Sequence, residues 1–185
     1  MQKHIILITG IAGIGKTTVM IRAVGTLKGQ GYKIGGMITK EKREGYARVG
    51  FEIQDLATQK QGWLAHVKQP NGPRVGKYLV NLADLEDVGA NAIQNATKTA
   101  DIIVIDEIGP MELHSKAFEE AVMQASDSAK PVVATVHYNA VDDFVRDIKT
   151  RQDAEVYEVT SENREMIHNL ITERITNILS RQQEC

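Results

Sequence analysis

Short runs of β-branched residues alternate along this chain with longer segments in which apolar residues recur every three or four positions. The short runs predict buried strands, and the longer segments predict helices that pack one face against a sheet. Strands and helices in alternation are typical of a mainly parallel sheet with crossover helices, so we predict an α/β fold. The predicted strands are residues 4–9, 33–39, 101–106, 131–136 and 154–159.

The helical periodicity predicts five helices, at residues 16–28, 82–97, 115–126, 141–149 and 162–179. The pattern changes between the second predicted strand and the second predicted helix. Residues 40–56 are charged and glycine-punctuated and end in alternating apolar positions, which predicts an inserted antiparallel hairpin or meander. Residues 61–73 contain two prolines and a Pro-Asn-Gly turn, and they predict a surface excursion without regular structure.

Length and composition narrow the class of protein. A chain of 185 residues fits one domain, and we predict that residues 1–185 form it. The hydrophobic share of 42% and the charged share of 25% are ordinary for a globular protein. With 22 basic and 24 acidic residues there is no global positive field to gather nucleic acid, which leaves only a local basic patch open.

Cysteine usage and hydropathy bear on location. The single cysteine, Cys185, excludes an internal disulfide and a multi-cysteine metal site, and this favours the cytoplasm. The longest apolar runs are far shorter than the ~20 residues that cross a bilayer, so we predict no membrane partner. We also predict a monomer.

A glycine-rich motif follows the first predicted strand and leads into the first predicted helix. It matches the pattern G-x-x-x-x-G-K-[ST], which binds the phosphates of a nucleoside triphosphate. The matching residues are Gly10, Ile11, Ala12, Gly13, Ile14, Gly15, Lys16 and Thr17, and Thr18 continues the segment. Glycines let successive N–H groups approach a phosphate, Lys16 reaches the β and γ phosphates, and the Thr17 hydroxyl is a ligand for Mg²⁺.

A buried strand ends in two adjacent acids. The segment consists of Ile102, Ile103, Val104, Ile105, Asp106, Glu107, Ile108 and Gly109. Ligands bind at the carboxyl ends of parallel strands, so we assign Asp106 to the Mg²⁺ side of the site, opposite Thr17. If the strand bends into the turn at Ile108 and Gly109, Glu107 faces the γ-phosphate and acts as the base for an attacking water. An isolated Asp-Glu pair more often begins a solvated loop, but here it accompanies the glycine-rich motif.

Further charged residues are candidates for sensing or stabilising the γ-phosphate. Arginines often neutralise charge in the transition state of phosphoryl transfer, and Arg43, Arg48 and Arg74 are the candidates. A solvated loop charge is the equally good alternative for each. His137 follows a predicted buried strand and is a candidate sensor, although a histidine at a strand end is more often structural.

Taken together, these motifs resemble those of the small nucleoside-triphosphatases of thermophilic archaea and bacteria, which have a cancer-related relative in eukaryotes. The resemblance extends over nearly the whole chain. It is carried by residues 9–18, 39–56, 74–82, 106–113 and 159–164. The family likeness implies a three-layer αβα P-loop fold of the RecA-like or ASCE type. It also implies slow, Mg²⁺-dependent hydrolysis of ATP, GTP, CTP and UTP to the diphosphate and phosphate.

Two other functions remain open from the sequence. A nucleotide or small-molecule kinase uses the same phosphate cradle, with residues 40–48 as a lid over an acceptor. A nucleotide-dependent switch that acts on nucleic acid is the alternative from another class. The absence of an Asn-Lys-x-Asp run argues against guanine selectivity and favours hydrolysis of several nucleotides.

Overall fold

Nine strands form one sheet within residues 3–138 and 142–183, the part of the chain that this computed structural model describes. The first five are β1 (Ile5–Thr9), β2 (Ile34–Glu44), β3 (Ala47–Asp55), β4 (Gln61–His66) and β5 (Arg74–Val75). The others are β6 (Tyr78–Val80), β7 (Ile102–Ile108), β8 (Val132–Val136) and β9 (Ala154–Glu158). Cys185 and Val141 lie outside the described residues.

Helices connect the parallel strands. They are α1 (Lys16–Gly29), α2 (Leu82–Asp84), α3 (Asn91–Thr99), α4 (Lys116–Asp127), α5 (Asp143–Thr150) and α6 (Ile167–Gln183). A π-helical turn, Leu85–Ala90, joins α2 to α3, and a 3₁₀ turn, Glu112–His114, precedes α4. None of these helices is long and apolar enough to cross a lipid bilayer.

The sheet has a parallel part and an antiparallel part. Strands β2, β7, β8, β1 and β9 run parallel in that order, and β3, β4, β6 and β5 extend the sheet antiparallel beyond β2. Because parallel strands share a direction, their carboxyl ends meet at one edge. The loops that follow β1, β7 and β8 therefore lie side by side at that edge.

Hydrophobic clusters on both faces of the sheet make three layers. Ile5 and Leu7 of β1 belong to the cluster that α3 and α4 cover, whereas Ile6 and Ile8 belong to the cluster under α1 and α6. This alternation follows from the two-residue period of a strand. The observed architecture confirms the predicted three-layer α/β fold with a mainly parallel sheet.

The predicted hairpin at residues 40–56 is confirmed and is continuous with the sheet. Only residues 34–37 of β2 pair with β7, and the remainder pairs with β3 as far as Glu44 opposite Ala47. The hairpin formed by β2 and β3 thus leaves the parallel part and rises from the edge at which the loops meet. Tyr46 is fully exposed at its tip.

The prediction of an irregular excursion at residues 61–73 is wrong in its first half. Residues 61–66 form β4, which pairs with β3 and β6, and Leu64 and Ala65 are buried. The prolines that suggested a loop, Pro70 and Pro73, follow the strand. The backbone N–H and C=O groups of this short apolar run form hydrogen bonds with the neighbouring strands β3 and β6. The local sequence pattern does not show which strands will be neighbours, so it could not predict this pairing.

Two helix boundaries also differ from the prediction. The last helix begins at Ile167 rather than at residue 162, because Thr160 and Asn163 form a closed turn in which the Asn163 side chain accepts from the Thr160 N–H at 2.9 Å. The N–H of Asn163 donates to the Thr160 hydroxyl in return. The preceding helix begins at Asp143, where the Asp142 carboxylate accepts from the Phe144 N–H.

Candidate active site

The glycine-rich loop joins β1 to α1 at the carboxyl edge of the sheet. Gly15, which directly precedes α1, has a φ of 111°, a left-handed conformation that side chains rarely adopt. At Gly10 a Cβ would lie 2.7 Å from the carbonyl oxygen of Val159. The loop therefore needs glycine at both positions. The first turn of α1 has N–H groups without partners inside the helix, an arrangement that favours anions.

A cavity of about 750 Å³ lies over this loop, and most of the predicted site residues line it. Those from the loop and α1 are Gly10, Ile11, Ala12, Gly13, Gly15, Lys16, Thr17 and Thr18. Asp106 and Glu107 reach it from β7, Arg48 from β3, and His137 from the segment after β8. Four separate segments of the chain thus meet around one space.

Other predicted residues lie outside the cavity lining. Ile14 packs its side chain against the cluster under α1 and α6, and Ile108 and Gly109 are buried. The four residues before the acids, Ile102, Ile103, Val104 and Ile105, are fully buried in the sheet. Their contribution is to carry Asp106 and Glu107 to the sheet edge, so they belong to the core rather than to a binding surface.

Lys16 folds back over the loop. Its Nζ donates to the carbonyl oxygen of Gly10 at 3.2 Å and lies 3.7 Å from Oε2 of Glu107. The side chain is only 10% exposed. A buried ammonium group with a carboxylate beside it is thus held at the floor of the cavity.

Asp106 is almost completely buried and accepts hydrogen bonds from two hydroxyl groups. Its Oδ1 accepts from Thr17 Oγ1 at 3.1 Å and from the Thr135 hydroxyl, whereas its Oδ2 has no hydrogen-bond partner among the described residues. Burial raises the pKa of Asp106 to about 6, against the lowering effect of the Thr135 and Thr17 hydroxyls. The charge of Glu107 is a smaller cause of the same rise. Above about pH 6 the group is therefore ionised, with one free oxygen beside a hydroxyl.

Glu107 faces the cavity with a side chain that is 26% exposed. Adjacent residues of a regular strand point to opposite faces, so the sequence predicted a bend at Ile108 and Gly109. The irregularity instead lies earlier, because the register of β7 against β8 shifts between Ile105 and Ile108. Such a shift re-aims side chains, and it lets Asp106 and Glu107 serve the same cavity. The expected location of the bend is corrected accordingly.

The candidate arginines occupy different environments. Arg48 lines the cavity, where its Nη1 donates to Glu41 at 2.8 Å, its Nε donates to the Tyr78 hydroxyl at 3.0 Å, and its guanidinium lies 5.5 Å from the centre of the Phe51 ring. Arg43 lies opposite Arg48 in the pairing of β2 with β3 and is not among the residues that line the cavity. It donates to Glu41 and to the carbonyl oxygen of Tyr46.

Arg74 and His137 also differ in position. Arg74 is exposed on β5, at the far edge of the antiparallel extension, and does not line the cavity. His137 does line it, and its buried Nδ1 has no hydrogen-bond partner among the described residues. The N–H of His137 donates to the carbonyl oxygen of Ile108 at 3.3 Å, which ties the segment after β8 to β7.

Two buried polar residues near the acids were not singled out from the sequence. Thr135 is fully buried in β8 and donates to Asp106. Glu112 is 4% exposed, and its burial raises its pKa to about 8, with a further contribution from the charges of Glu107 and Asp106. The available signal for Thr135 was a lone hydroxyl in the apolar run of residues 132–136. For Glu112 it was a third acid close behind the acidic pair.

The sequence matches a family model described as NTPase over residues 5–172. It is 46% identical over 176 residues to the nucleoside-triphosphatase THEP1 of Thermofilum pendens, which covers 95% of this chain and 97% of that protein. It is 45% identical over 170 residues to the nucleoside-triphosphatase THEP1 of Methanocaldococcus jannaschii, with 92% and 96% covered.

Two solved structures share the fold. The crystal structure of THEP1 from the hyperthermophile Aquifex aeolicus matches with a TM-score of 0.81 and 32% identity, covering 92% of this chain and 98% of that one. The solution structure of a human cancer-related nucleoside triphosphatase matches with a TM-score of 0.79 and 32% identity. It covers 93% of this chain and 97% of the human one. The likeness therefore extends over nearly the whole chain.

Proposed function

Because this chain belongs to the nucleoside-triphosphatase family and is a hydrolase acting on nucleoside triphosphates, we propose for it Mg²⁺-dependent cleavage of the β–γ phosphoanhydride bond. The observation that carries this proposal is the meeting of Lys16, Thr17, Asp106 and Glu107 around one cavity. The family names favour water as the acceptor over the kinase alternative.

The donor set fits Mg²⁺. Thr17 offers a hydroxyl, and Asp106 offers a buried carboxylate oxygen without a hydrogen-bond partner among the described residues. Mg²⁺ is commonly held by one or two protein oxygens, with phosphate oxygens and waters completing its shell. The bound ion would neutralise charge on the β and γ phosphate oxygens. Thr135 would keep Asp106 oriented through its hydrogen bond to the other carboxylate oxygen.

We assign phosphate binding to Lys16 and activation of the attacking water to Glu107. The Lys16 ammonium, held at the floor of the cavity, would bind the β and γ phosphates. Glu107 would orient the attacking water and take its proton as the water oxygen forms a bond to the γ phosphorus. The bond from that phosphorus to the bridging oxygen breaks, and the nucleoside diphosphate leaves with the oxygen.

Two finer proposals rest on the sequence and on the make-up of the site. We propose that ATP, GTP, CTP and UTP are all substrates, since the chain has no Asn-Lys-x-Asp run to read guanine. We also propose a cytoplasmic monomer. The lone cysteine fits the cytoplasm, and one chain alone supplies Lys16, Thr17, Asp106 and Glu107. Light scattering on the purified protein tests the oligomeric state.

The central test is phosphate release from each of the four nucleotides, with Mg²⁺ or with EDTA, and with and without polynucleotide. We expect release that needs Mg²⁺ but no added acceptor. Glu107→Gln should keep binding of the Mg²⁺ nucleotide and lose roughly 100-fold or more in kcat, because the amide cannot take a proton. The matched control is Glu120→Gln, an exposed acid on α4, which should turn over like the wild type. Full turnover by Glu107→Gln would remove Glu107 as the base.

A further inference from the structure

Glu112 is a buried acid that the proposed reaction does not use. It begins the 3₁₀ turn after β7, and it is 4% exposed. Burying a carboxyl group in a protein interior is unfavourable unless the group is neutral or well partnered. An acid in this position, five residues beyond Glu107, therefore needs an explanation.

Glu112 and Glu107 each place a carboxyl oxygen next to Gly109. A Cβ on Gly109 would lie 3.0 Å from Oε1 of Glu107 and 3.3 Å from Oε2 of Glu112. One oxygen of each carboxyl group thus lies beside the space that the Cβ of a larger residue would occupy. Glu107 reaches this space from the end of β7, and Glu112 reaches it from the 3₁₀ turn that follows.

The two oxygens of Glu107 have different neighbours. Oε2 lies 3.7 Å from the Lys16 ammonium, whereas Oε1 is on the side of Gly109 and Glu112. When Lys16 turns to the phosphates of a substrate, Oε2 loses its partner. The other oxygen, Oε1, would then be the carboxylate oxygen of Glu107 that still has a protein group beside it.

The charge state of Glu112 suits it to donate a hydrogen bond. Its pKa is raised to about 8, first by burial and then by the negative charges of Glu107 and Asp106, while the N–H groups of Glu112 and Gly109 oppose the rise. At neutral pH the carboxyl group is consequently protonated. A neutral carboxyl keeps an O–H donor, which an ionised carboxylate lacks.

We propose that Glu112 is a positioning residue: its carboxyl group donates to Oε1 of Glu107 across Gly109 and holds Glu107 toward the attacking water while Lys16 is engaged with phosphate. This inference rests on the proposed role of Glu107 as the base. Glu112 itself touches neither the water nor the nucleotide. Its loss should therefore affect kcat and leave nucleotide binding intact.

The test compares Glu112→Gln and Glu112→Leu by steady-state kinetics with MgATP, with Glu120→Gln as the control. The glutamine amide can donate to Oε1, so Glu112→Gln should keep kcat within about threefold of the wild type. Glu112→Leu should lose at least about tenfold in kcat, with KM and the affinity for a non-hydrolysable nucleotide unchanged. Adding Glu112→Leu to Glu107→Gln should cause no further loss, because the group being positioned is already gone.

A second variant covers the case in which Glu112→Leu fails to fold. Gly109→Ala keeps both acids but adds a methyl group within 3.3 Å of an oxygen of each, and it should also lower kcat at constant KM. Turnover of Glu112→Leu or Gly109→Ala within about twofold of the wild type, alongside an inactive Glu107→Gln, would overturn the inference and leave the proposed function standing. Equal losses in Glu112→Gln and Glu112→Leu would also overturn it. Full activity of Glu107→Gln would instead overturn the proposed base itself.

Discussion

At the scale of single residues, burial separates the tasks of neighbouring acids. Asp106 is 1% exposed and is fixed by two threonine hydroxyls, whereas Glu107 is partly open to the cavity. A fixed carboxylate suits a metal ion, and a partly solvated one suits exchange of protons with water. The register shift in β7 places both beside the same ligand space.

Glu112 gives the stability of the fold a defined pH dependence. Between its ordinary pKa of 4.5 and its folded pKa of about 8, the folded chain keeps a proton that the unfolded chain has lost. The free energy of unfolding should therefore fall as pH rises through this window, by up to about 1.4 kcal/mol per pH unit from this group. Urea unfolding in EDTA, from about pH 5 to about pH 9, measures it.

In that experiment Glu112→Gln should lose the part of the slope that Glu112 contributes, since the amide does not titrate. Glu120→Gln, on the exposed face of α4, should keep the wild-type slope. Parallel curves for the wild type and Glu112→Gln across the whole pH range would contradict the buried, protonated state assigned to Glu112.

Contiguous motifs made part of the site predictable. Lys16 and Thr17 lie in a motif whose spacing indicates phosphate binding, Asp106 and Glu107 were assigned because they accompany that motif, and all four line the cavity. Thr135 was missed because its role depends on its being on the strand beside Asp106. Glu112 was missed because its burial and its approach to Glu107 arise from the turn at Gly109, which the spacing does not specify.

At the scale of elements, β2 is the part that joins the sheet core to the hairpin. Its first four residues, 34–37, pair with β7, whereas the residues after Met37 pair only with β3. Strand length and register decide which hairpin residues reach the cavity, and neither is fixed by local pattern. This is why the sequence did not separate Arg48 from Arg43. Strand β4 was missed for the same reason: it has few apolar residues, and its strand structure depends on pairing with β3 and β6.

Close approach of β2 to β7 makes Gly36 indispensable. Its φ is 108°, and a Cβ there would lie 2.0 Å from the carbonyl oxygen of Val104. We expect Gly36→Ala to destabilise the fold by roughly 3 kcal/mol or more, because backbone strain and a backbone clash coincide. Thermal unfolding measures the change.

The matched control is Gly25→Ala, in the exposed middle of α1, where a Cβ meets nothing within 4 Å. It should stabilise the protein by about 0.5–1 kcal/mol, the usual gain of alanine over glycine inside a helix. A mild effect of Gly36→Ala, comparable in size to that of Gly25→Ala, would show that β2 and β7 can separate without loss of the fold.

The hairpin arginines give a second prediction at this scale. Arg48→Ala should lower kcat by about tenfold or more, since Arg48 lines the cavity in which we propose that charge develops in the transition state. Arg43→Ala should stay within about twofold of the wild type, because Arg43 bonds to Glu41 and Tyr46 outside the cavity lining. Steady-state phosphate release measures both. Equal effects of the two substitutions would assign them to hairpin stability rather than to the reaction.

At the scale of the whole molecule, the cavity joins segments that are far apart in sequence. The glycine-rich loop, the end of β7, the hairpin and the segment after β8 each contribute to its lining. The alternation of strands and helices predicted the layers, because the hydrophobic pattern of each element specifies the face that it buries. Adjacency of the four segments follows from the strand order, which the pattern of a single element does not contain.

A ligand that contacts all four segments should stabilise the entire fold. With the Mg²⁺ nucleotide at about 100 times its Kd, we expect about 2.7 kcal/mol of added stability, visible as a rise in Tm. Lys16→Ala should abolish the rise by removing the phosphate contact, whereas Lys28→Ala, at the exposed end of α1, should keep it. A normal rise in Lys16→Ala would contradict the assignment of Lys16 to phosphate binding. A differential scanning measurement with a non-hydrolysable nucleotide avoids turnover.

The ion pair between Lys16 and Glu107 also bears on how the reaction ends. A polyphosphate that enters the cavity must displace a carboxylate that already neutralises the ammonium group. A triphosphate carries the most negative charge and competes best, whereas a diphosphate that has lost its terminal group competes less well. Once phosphate is cleaved and Glu107 has passed on the proton that it took from the water, its carboxylate can pair with Lys16 again. The Glu107 carboxylate thus competes with the diphosphate for the Lys16 ammonium. This competition favours release of the diphosphate and leaves the site ready for another triphosphate.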